Sequence, residues 1–162
     1  CVRVNVLTGA RVTDQGVIEG AAAELLRARA SLGAGGVAIW ADVDVKHSSA
    51  LAPQTLAQET SDLVVRALAD AVLVTGPGTG LAADTVKLRE VSLATRASAR
   101  PGVRVPVLVA SGATVASLPT LAEHADGVIV GSALRADGHA GGPIDAGAAA
   151  TFAAAFRRAF PR

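Results

Sequence analysis

Disulfides, aromatic stacking surfaces and strong charge imbalance are all missing from the sequence. Among 162 residues there is one cysteine, Cys1, which excludes an internal disulfide and fits a reducing compartment. Aromatic residues make up 2%, too few for a platform on which nucleic-acid bases would stack. The net charge is +1, and no run of basic residues resembles a DNA-binding arm. We therefore predict a cytoplasmic protein that does not bind nucleic acid.

The sequence also has no run that fits a membrane helix. Its longest uncharged segment, 105–122, contains two prolines, a glycine and several hydroxyl residues. A membrane helix needs about 20 mostly apolar residues without such interruptions. No signal-peptide pattern, a basic region followed by an apolar one, is visible either. We expect no transmembrane segment.

Methionine is absent as well, and the chain opens directly on an apolar run typical of a core strand. Natural domains rarely begin on such a strand without a lead-in. We therefore expect the chain to be the C-terminal part of a longer protein.

Short apolar runs and helical patterns alternate along the chain, in which 51% of the residues are hydrophobic. Each of five runs rich in valine and isoleucine is followed by a helical pattern. The runs cover residues 2–7, 37–45, 71–75, 105–111 and 127–132. The helical patterns cover residues 21–32, 53–69, 84–97, 116–124 and 146–160. This alternation predicts an α/β fold with a parallel sheet and crossover helices, in a single domain.

Two architectures fit this order, an open doubly wound sheet and a closed (β/α)8 barrel. Aliphatic residues occupy one face of the run 37–45, whereas Asp42 and Asp44 share the other face, which continues to Lys46. Helices cover both faces of a doubly wound sheet, but the inner face of a barrel can be polar near its C-terminal mouth. We therefore predict five β/α units of a TIM-type barrel whose N-terminal units are missing.

Two glycine-containing loops follow the last two runs and predict a phosphate site. The segment ASGAT contains Ser111, Gly112 and Thr114, and the segment IVGSAL contains Gly131 and Ser132. In phosphate-binding barrels the last two βα loops hold the anion, with backbone N–H groups that glycine leaves accessible. The alternative is that these glycines only form tight turns.

The segment TGPGTG, residues 75–80, follows the third run and is another candidate ligand loop. Its glycines expose several N–H groups, and Thr75 and Gly76 stand where the strand ends. The segment is neither a GxGxxG motif nor a Walker motif. A plain turn before the next helix is an equally good interpretation.

The segment ADVDVKH combines acids and bases and is the candidate catalytic group. Asp42, Asp44 and Lys46 would act at the reacting end of a substrate, to which Asn5 would hydrogen-bond. The two carboxylates are expected to raise each other's pKa and that of Lys46, which argues against a Schiff base. The alternatives are a divalent cation held by oxygen ligands and a structural salt-bridge network with Arg3. Since there is no HExxH motif and no Cys/His cluster, we predict neither a zinc site nor a cofactor.

The segment GARVTDQGVIEG, residues 9–20, follows the first run and is expected to lead into the first helix. Thr13 or Asp14 would cap that helix. Alternatively, this segment is a loop that faces the substrate.

Together these motifs resemble the BtpA/SgcQ family. The segments TDQGVIEG and ADVDVKH are the most specific parts of a resemblance that extends over nearly the whole chain. The resemblance implies a phosphate-binding (β/α)8 barrel with a further N-terminal part, so that this chain supplies strands four to eight. It implies no particular catalytic residue.

The resemblance leaves two alternatives for the function. One is an enzyme, or a former enzyme, that acts on a small phosphorylated metabolite. The other is a non-enzymatic biogenesis or stability factor for membrane complexes such as photosystem I, with protein partners and peripheral membrane association. Most members of the family occur in organisms without photosynthesis, where a photosystem role cannot apply.

The unpaired sheet edges of a partial barrel lead to a prediction about association. We expect the isolated chain of 162 residues to be a homo-oligomer or poorly soluble, because edge strands expose unpaired backbone groups. Size-exclusion chromatography with light scattering measures this directly. A monomer that melts cooperatively would contradict the expectation.

Overall fold

Strands and helices alternate in the computed structural model, which describes residues 1–76, 84–139 and 141–161. The described strands are β1 (Val2–Val4), β2 (Ala10–Thr13), β3 (Gly16–Glu19), β4 (Ile39–Val43), β5 (Ser48–Ala50), β6 (Ala71–Val74), β7 (Val107–Val109) and β8 (Gly127–Val128). The described α-helices are α1 (Ala22–Ser31), α2 (Leu56–Ser61), α3 (Thr85–Ser98), α4 (Leu118–Ala122) and α5 (Ala146–Ala159). A π-helical turn, Asp62–Arg66, continues α2, and a 3-10 turn, Ser132–Leu134, follows β8. None of these helices has the length and apolarity needed to cross a lipid bilayer.

A five-stranded parallel sheet forms the centre of the fold, in the order β1-β4-β6-β7-β8. Each of its strands pairs with the next one along the chain, with no reversal of order. This order is consistent with a TIM-like fold, whereas a doubly wound sheet reverses its strand order. The predicted α/β fold with a parallel sheet is confirmed. Each strand is shorter than its apolar run, because the run continues into the loop at the C-terminal end of the strand and, for β4 and β7, also begins two residues before the strand.

The helices pack on one face of the parallel sheet and create the hydrophobic core there. Strand β4 turns Ile39, Ala41 and Val43 toward this core, where they are fully buried. Because side chains alternate along a strand, Trp40 and Asp42 lie on the opposite face. The core also contains the buried residues Leu63, Val72, Val74, Leu88, Val91, Val107, Val109, Leu118, Leu121 and Phe152. Thus the division into an aliphatic face and a polar face that was predicted for the run 37–45 holds for residues 39–43, which form β4.

Side-chain caps determine where three of the helices begin. Asp84 accepts hydrogen bonds from Val86 N and Lys87 N at the start of α3, and Asp145 accepts one from Ala148 N at the start of α5. At α2, Thr55 and Gln58 form a capping box, so this helix begins later than the prediction of residue 53.

A second, antiparallel sheet, with the order β3-β2-β5, was not predicted. Strands β2 and β3 form a hairpin whose turn is held by Thr13, which accepts a hydrogen bond from Gln15 N and donates one to Gly16 O. The segment 9–20 does precede a helix, α1, but the expectation that Thr13 or Asp14 caps this helix is wrong, because its N-cap residue is Ala21 and no side chain caps it. The short alternation in ARVT and GVIE on either side of a polar turn is the sequence signal for this hairpin.

The helix-side core yields a prediction about stability. Leu88 on α3 is fully buried, and replacing it by alanine is expected to lower the free energy of unfolding by about 2–5 kcal/mol. Urea denaturation followed by circular dichroism measures this change. Leu93 is on the same helix but 55% exposed, so Leu93→Ala is the matched control, expected to stay within about 0.5 kcal/mol of the wild type. Equal losses in the two variants would contradict the assigned helix face.

Candidate functional site

A cavity of about 340 Å³ opens where the strands of the parallel sheet end. Its lining residues are Arg3, Asn5, Asp42, Val45, Lys46, His47, Thr75, Ala110 and Ser111. Arg3 and Asp42 lie on β1 and β4, and the others follow β1, β4, β6 and β7, whose C-terminal ends meet at one edge of the sheet. Five of the predicted site residues lie together here: Asn5, Asp42, Lys46, Thr75 and Ser111.

Arg3 and Asp42 form a bidentate ion pair at the base of this cavity. Arg3 Nε donates to Asp42 Oδ2 and Arg3 Nη2 to Asp42 Oδ1, both at 2.8 Å. Asp42 is 4% exposed, whereas the Arg3 side chain is 41% exposed. The hydrogen bond to Asp42 raises the pKa of Arg3 and outweighs the effect of burial. Both oxygens of the carboxylate are therefore engaged, and its charge is neutralised within the pair.

Lys46 reaches across the cavity to the loop after β7. Its Nζ donates to Ser111 Oγ at 2.9 Å, and Lys46 forms no ion pair within the described part of the chain. Burial lowers the pKa of Lys46, and the charge of Arg3 lowers it further, against the opposing effect of Asp42. The expected net increase of this pKa is therefore wrong, although Asp42 acts in the expected direction. With Arg3 neutralised by Asp42, the cavity lining keeps one positive charge in excess, that of Lys46.

The hydroxyl of Thr75 is a buried polar group without a partner in the same cavity. Thr75 follows β6 and is 7% exposed, and among the described residues its Oγ1 has no hydrogen-bond partner. An unsatisfied buried hydroxyl is uncommon in a native fold. A polar ligand atom in the cavity would supply the missing hydrogen bond.

Asp44 does not face this cavity, so the prediction that Asp42 and Asp44 share one face is wrong. Strand β4 ends at Val43, and Asp44 has a left-handed backbone with φ of 48°, which interrupts the alternation of side chains. Its carboxylate lies 2.7 Å from Lys87 Nζ and 3.2 Å from Arg11 Nη2. Burial acts to raise the pKa of Asp44, but the hydrogen bond and charge of Lys87, together with Arg11, lower it below its ordinary value of 3.8.

Arg11 connects the antiparallel sheet to the rim of the cavity and was missed by the sequence analysis. It is 6% exposed, and it donates to Ser48 Oγ at 2.6 Å and to Glu59 Oε1 at 3.1 Å as well as to Asp44. Glu59 in turn accepts a hydrogen bond from the backbone N–H of Asp44 at 2.9 Å. These bonds fix the segment after β4, which carries Lys46. The position of Arg11 within the alternation ARVT is the signal that would have found it.

The two predicted phosphate loops leave adjacent strands, β7 and β8, at the same edge of the sheet. Gly112 has φ of 78°, a conformation that favours glycine, and a Cβ added to Gly131 would meet no atom within 4 Å. Thr114 instead exchanges hydrogen bonds with Ser117 in the turn before α4. The predicted residues outside the cavity lining are Asp44, Gly76, Gly112, Thr114, Gly131 and Ser132. Residues 77–80 of the TGPGTG segment lie outside the described residues.

Comparison with known proteins assigns the chain to a family. The model of the BtpA family matches residues 1–158. The chain belongs to the BtpA family. This confirms the BtpA part of the resemblance noted from the sequence motifs. No solved structure matches the chain.

The chain is similar to curated proteins from a cyanobacterium, an archaeon and an animal. The photosystem I biogenesis protein BtpA of Synechocystis sp. is 42% identical over 144 residues, which are 89% of this chain and 47% of that protein. An uncharacterized protein of Pyrococcus furiosus is 41% identical over 143 residues, 88% of this chain and 50% of that protein. An uncharacterized mitochondrial protein of Caenorhabditis elegans is 31% identical over 159 residues, 93% of this chain and 52% of that protein. The chain thus spans about half the length of the curated relatives it matches.

The ion pairs of Asp44 yield a prediction about acid stability. Because the folded-state pKa of Asp44 is lowered, its charge stabilises the fold above the ordinary value of 3.8, and this contribution is lost as the pH falls through the folded-state pKa. Asp44→Asn, which tolerates the same backbone, is expected to lower the melting temperature at neutral pH. The difference from the wild type is expected to shrink in acid.

Melting curves between neutral pH and about pH 2 test this expectation. Asp14→Asn is the matched control, because Asp14 is exposed and forms no ion pair within the described residues. A difference between wild type and Asp44→Asn that stays constant or grows in acid would rule out the proposed role of these ion pairs.

Proposed function

We propose that this protein binds a small phosphorylated metabolite at the C-terminal edge of its parallel sheet, as an enzyme or a former enzyme. One observation carries the proposal: Lys46, which forms no ion pair within the described residues, contacts Ser111 Oγ at 2.9 Å in a cavity that also contains the Thr75 hydroxyl, for which the described part of the chain supplies no hydrogen-bond partner. A positive charge and hydroxyl donors suit an anionic ligand. The volume of about 340 Å³ lies in the range of pockets that hold small molecules.

In this proposal the two ends of the ligand contact different residues. Ser111 and the backbone N–H groups near Gly112, Gly131 and Ser132 bind the phosphate, which is supported by the adjacency of β7 and β8. Lys46 and Asn5 contact the reacting end, and the Arg3–Asp42 pair forms the floor beneath it. Asp44 supports the site from outside through Arg11 and Lys87.

The same proposal treats the parallel sheet as an arc of a (β/α)8 barrel of the phosphate-binding type. The sequential strand order and the location of the helices on one face support this. Within the described residues, β1 and β8 each have a partner on one side only, so further strands would pair at both edges.

The alternative is a non-enzymatic biogenesis or stability factor that acts through protein partners. The 42% identity to the Synechocystis photosystem I biogenesis protein supports it. Val12 and Val17 pair across the outer face of the antiparallel sheet and are 43% and 59% exposed, which would suit an apolar contact with a partner. The cytoplasmic location, the peripheral membrane association and the homo-oligomeric state stay predictions.

Titration with inorganic phosphate and with sugar phosphates by calorimetry distinguishes the two functions. We expect saturable binding that weakens at least about tenfold in Ser111→Ala, which removes a hydrogen bond to a charged ligand. Gly131→Val is expected to weaken binding similarly, because the added side chain enters open space that the anion would occupy.

Ser49→Ala is the matched control, since Ser49 is exposed on the antiparallel sheet and outside the cavity lining. Melting curves of all variants verify that each is folded. Absence of anion binding in the wild type, or equal binding in all variants, would favour the biogenesis factor.

A further inference from the structure

The two lysines of the chain, Lys46 and Lys87, have opposite surroundings. Lys87 Nζ is held by the carboxylate of Asp44 at 2.7 Å, whereas Lys46 Nζ contacts the neutral hydroxyl of Ser111 in the cavity. We propose that Lys46 is a nucleophilic amine that forms an imine with the carbonyl carbon of a small phosphorylated aldehyde or ketone. This inference rests on the proposed function, because it names the substrate class and the reacting atom of the same site.

The carboxylates of Asp42 and Asp44 both form ion pairs with other cations. Within the described residues, the Lys46 amine therefore has no counter-ion. Arg3 engages both oxygens of Asp42, and Arg11 and Lys87 share the carboxylate of Asp44. An amine without a carboxylate partner in a partly buried site loses its proton more readily. The lowered pKa of Lys46, caused by burial and by the charge of Arg3, supports the same conclusion. An unprotonated amine is the form that attacks a carbonyl carbon.

The backbone around Lys46 is held in an unusual conformation. Asp44 and His47, which lie on either side of it, both have left-handed backbones, with φ of 48° and 54°. Non-glycine residues in this region are strained, and such strain concentrates at functional sites. The hydrogen bonds of Asp44 and Ser48 to Arg11 maintain this conformation, so the Lys46 side chain is directed to Ser111. The amine is thus positioned by the fold before any ligand binds.

The reaction needs no partner other than the substrate and water. The Nζ lone pair forms a bond to the carbonyl carbon, the carbon–oxygen π bond breaks, and one proton passes from Nζ to the oxygen to give a neutral carbinolamine. The second proton of Nζ then leaves with the hydroxyl as water, and the carbon–nitrogen double bond forms. The Ser111 hydroxyl, 2.9 Å from Nζ, is placed to relay the proton from nitrogen. Among the residues that the structure describes, the Thr75 hydroxyl has no hydrogen-bond partner, and it can donate to the carbonyl oxygen.

The position of the amine also limits the size of the substrate. Lys46 Nζ touches the same residue, Ser111, whose loop is proposed to bind the phosphate. A ligand with its phosphate on that loop and its carbonyl carbon at Nζ therefore has only a few bonds between the two groups. If Lys46 only supplied charge to the phosphate, no covalent bond would form, and this difference can be measured.

The experiment treats the protein with pyridoxal phosphate or glyceraldehyde phosphate and reduces any imine with borohydride. Peptide mass spectrometry then locates the stable adduct on Lys46 or Lys87. We expect labelling at Lys46 to exceed labelling at Lys87 by about fivefold or more, which corresponds to roughly 1 kcal/mol for the partly exposed ion pair of Lys87 with Asp44. Pyridoxal, which lacks the phosphate, is expected to label Lys46 less than pyridoxal phosphate does.

Lys46→Arg is expected to abolish the adduct, and Lys87→Arg, which keeps the charge, is the matched control expected to leave it unchanged. Equal labelling of the two lysines, or equal labelling of Lys46 by pyridoxal and pyridoxal phosphate, would overturn the inference. The comparison within the wild type requires no variant to fold. Phosphate binding without a Lys46 adduct would overturn the imine alone, whereas a failed phosphate titration would overturn the proposed function.

Discussion

Asp42 places a carboxylate on the face of β4 opposite the helix-side core, where it is almost completely shielded from water. A buried negative charge without a partner is costly, so the adjacent strand β1 must supply a cation at this height. Arg3 does so with two parallel hydrogen bonds, which join the two strands beyond their backbone ladder. Because this pair is internally neutral, the charge of the cavity is determined by Lys46. The polarity of the whole site therefore depends on one ion pair between neighbouring strands.

A second group of charges lies outside the cavity lining and is separated from the first. Arg11, Glu59, Asp44 and Lys87 come from the antiparallel sheet, from α2, from the segment after β4 and from α3. Their ion pairs connect these four parts of the fold to one another. The left-handed backbone at Asp44 is what separates the two groups, because it turns this carboxylate away from Asp42 and Lys46. Neighbours in the sequence thus belong to different electrostatic environments.

The sequence predicted the features that depend on local patterns. The valine- and isoleucine-rich runs located the parallel strands, and the alternation along residues 39–43 identified which face of β4 is polar. The prediction failed at Asp44, because the alternation of side chains was extended past Val43, where β4 ends. The predicted direction of the pKa shift of Lys46 was also wrong, because the cations that pair with the two carboxylates are distant in sequence. Arg3 is 39 residues from Asp42, and Lys87 is 43 residues from Asp44. The hairpin was missed because its strands, ARVT and GVIE, contain charged and polar residues and form no continuous apolar run.

Strand β5 begins two residues after Lys46 and pairs with β2. The backbone that carries Lys46 is therefore connected to the hairpin of β2 and β3 by hydrogen bonds. The height of the amine above the sheet is therefore determined partly by residues that never touch the cavity. Substitutions in the hairpin can adjust the reach of Lys46 by fractions of an ångström while every lining residue stays the same. Within such an arrangement, the chemistry of the site could diverge between related proteins through changes at its periphery.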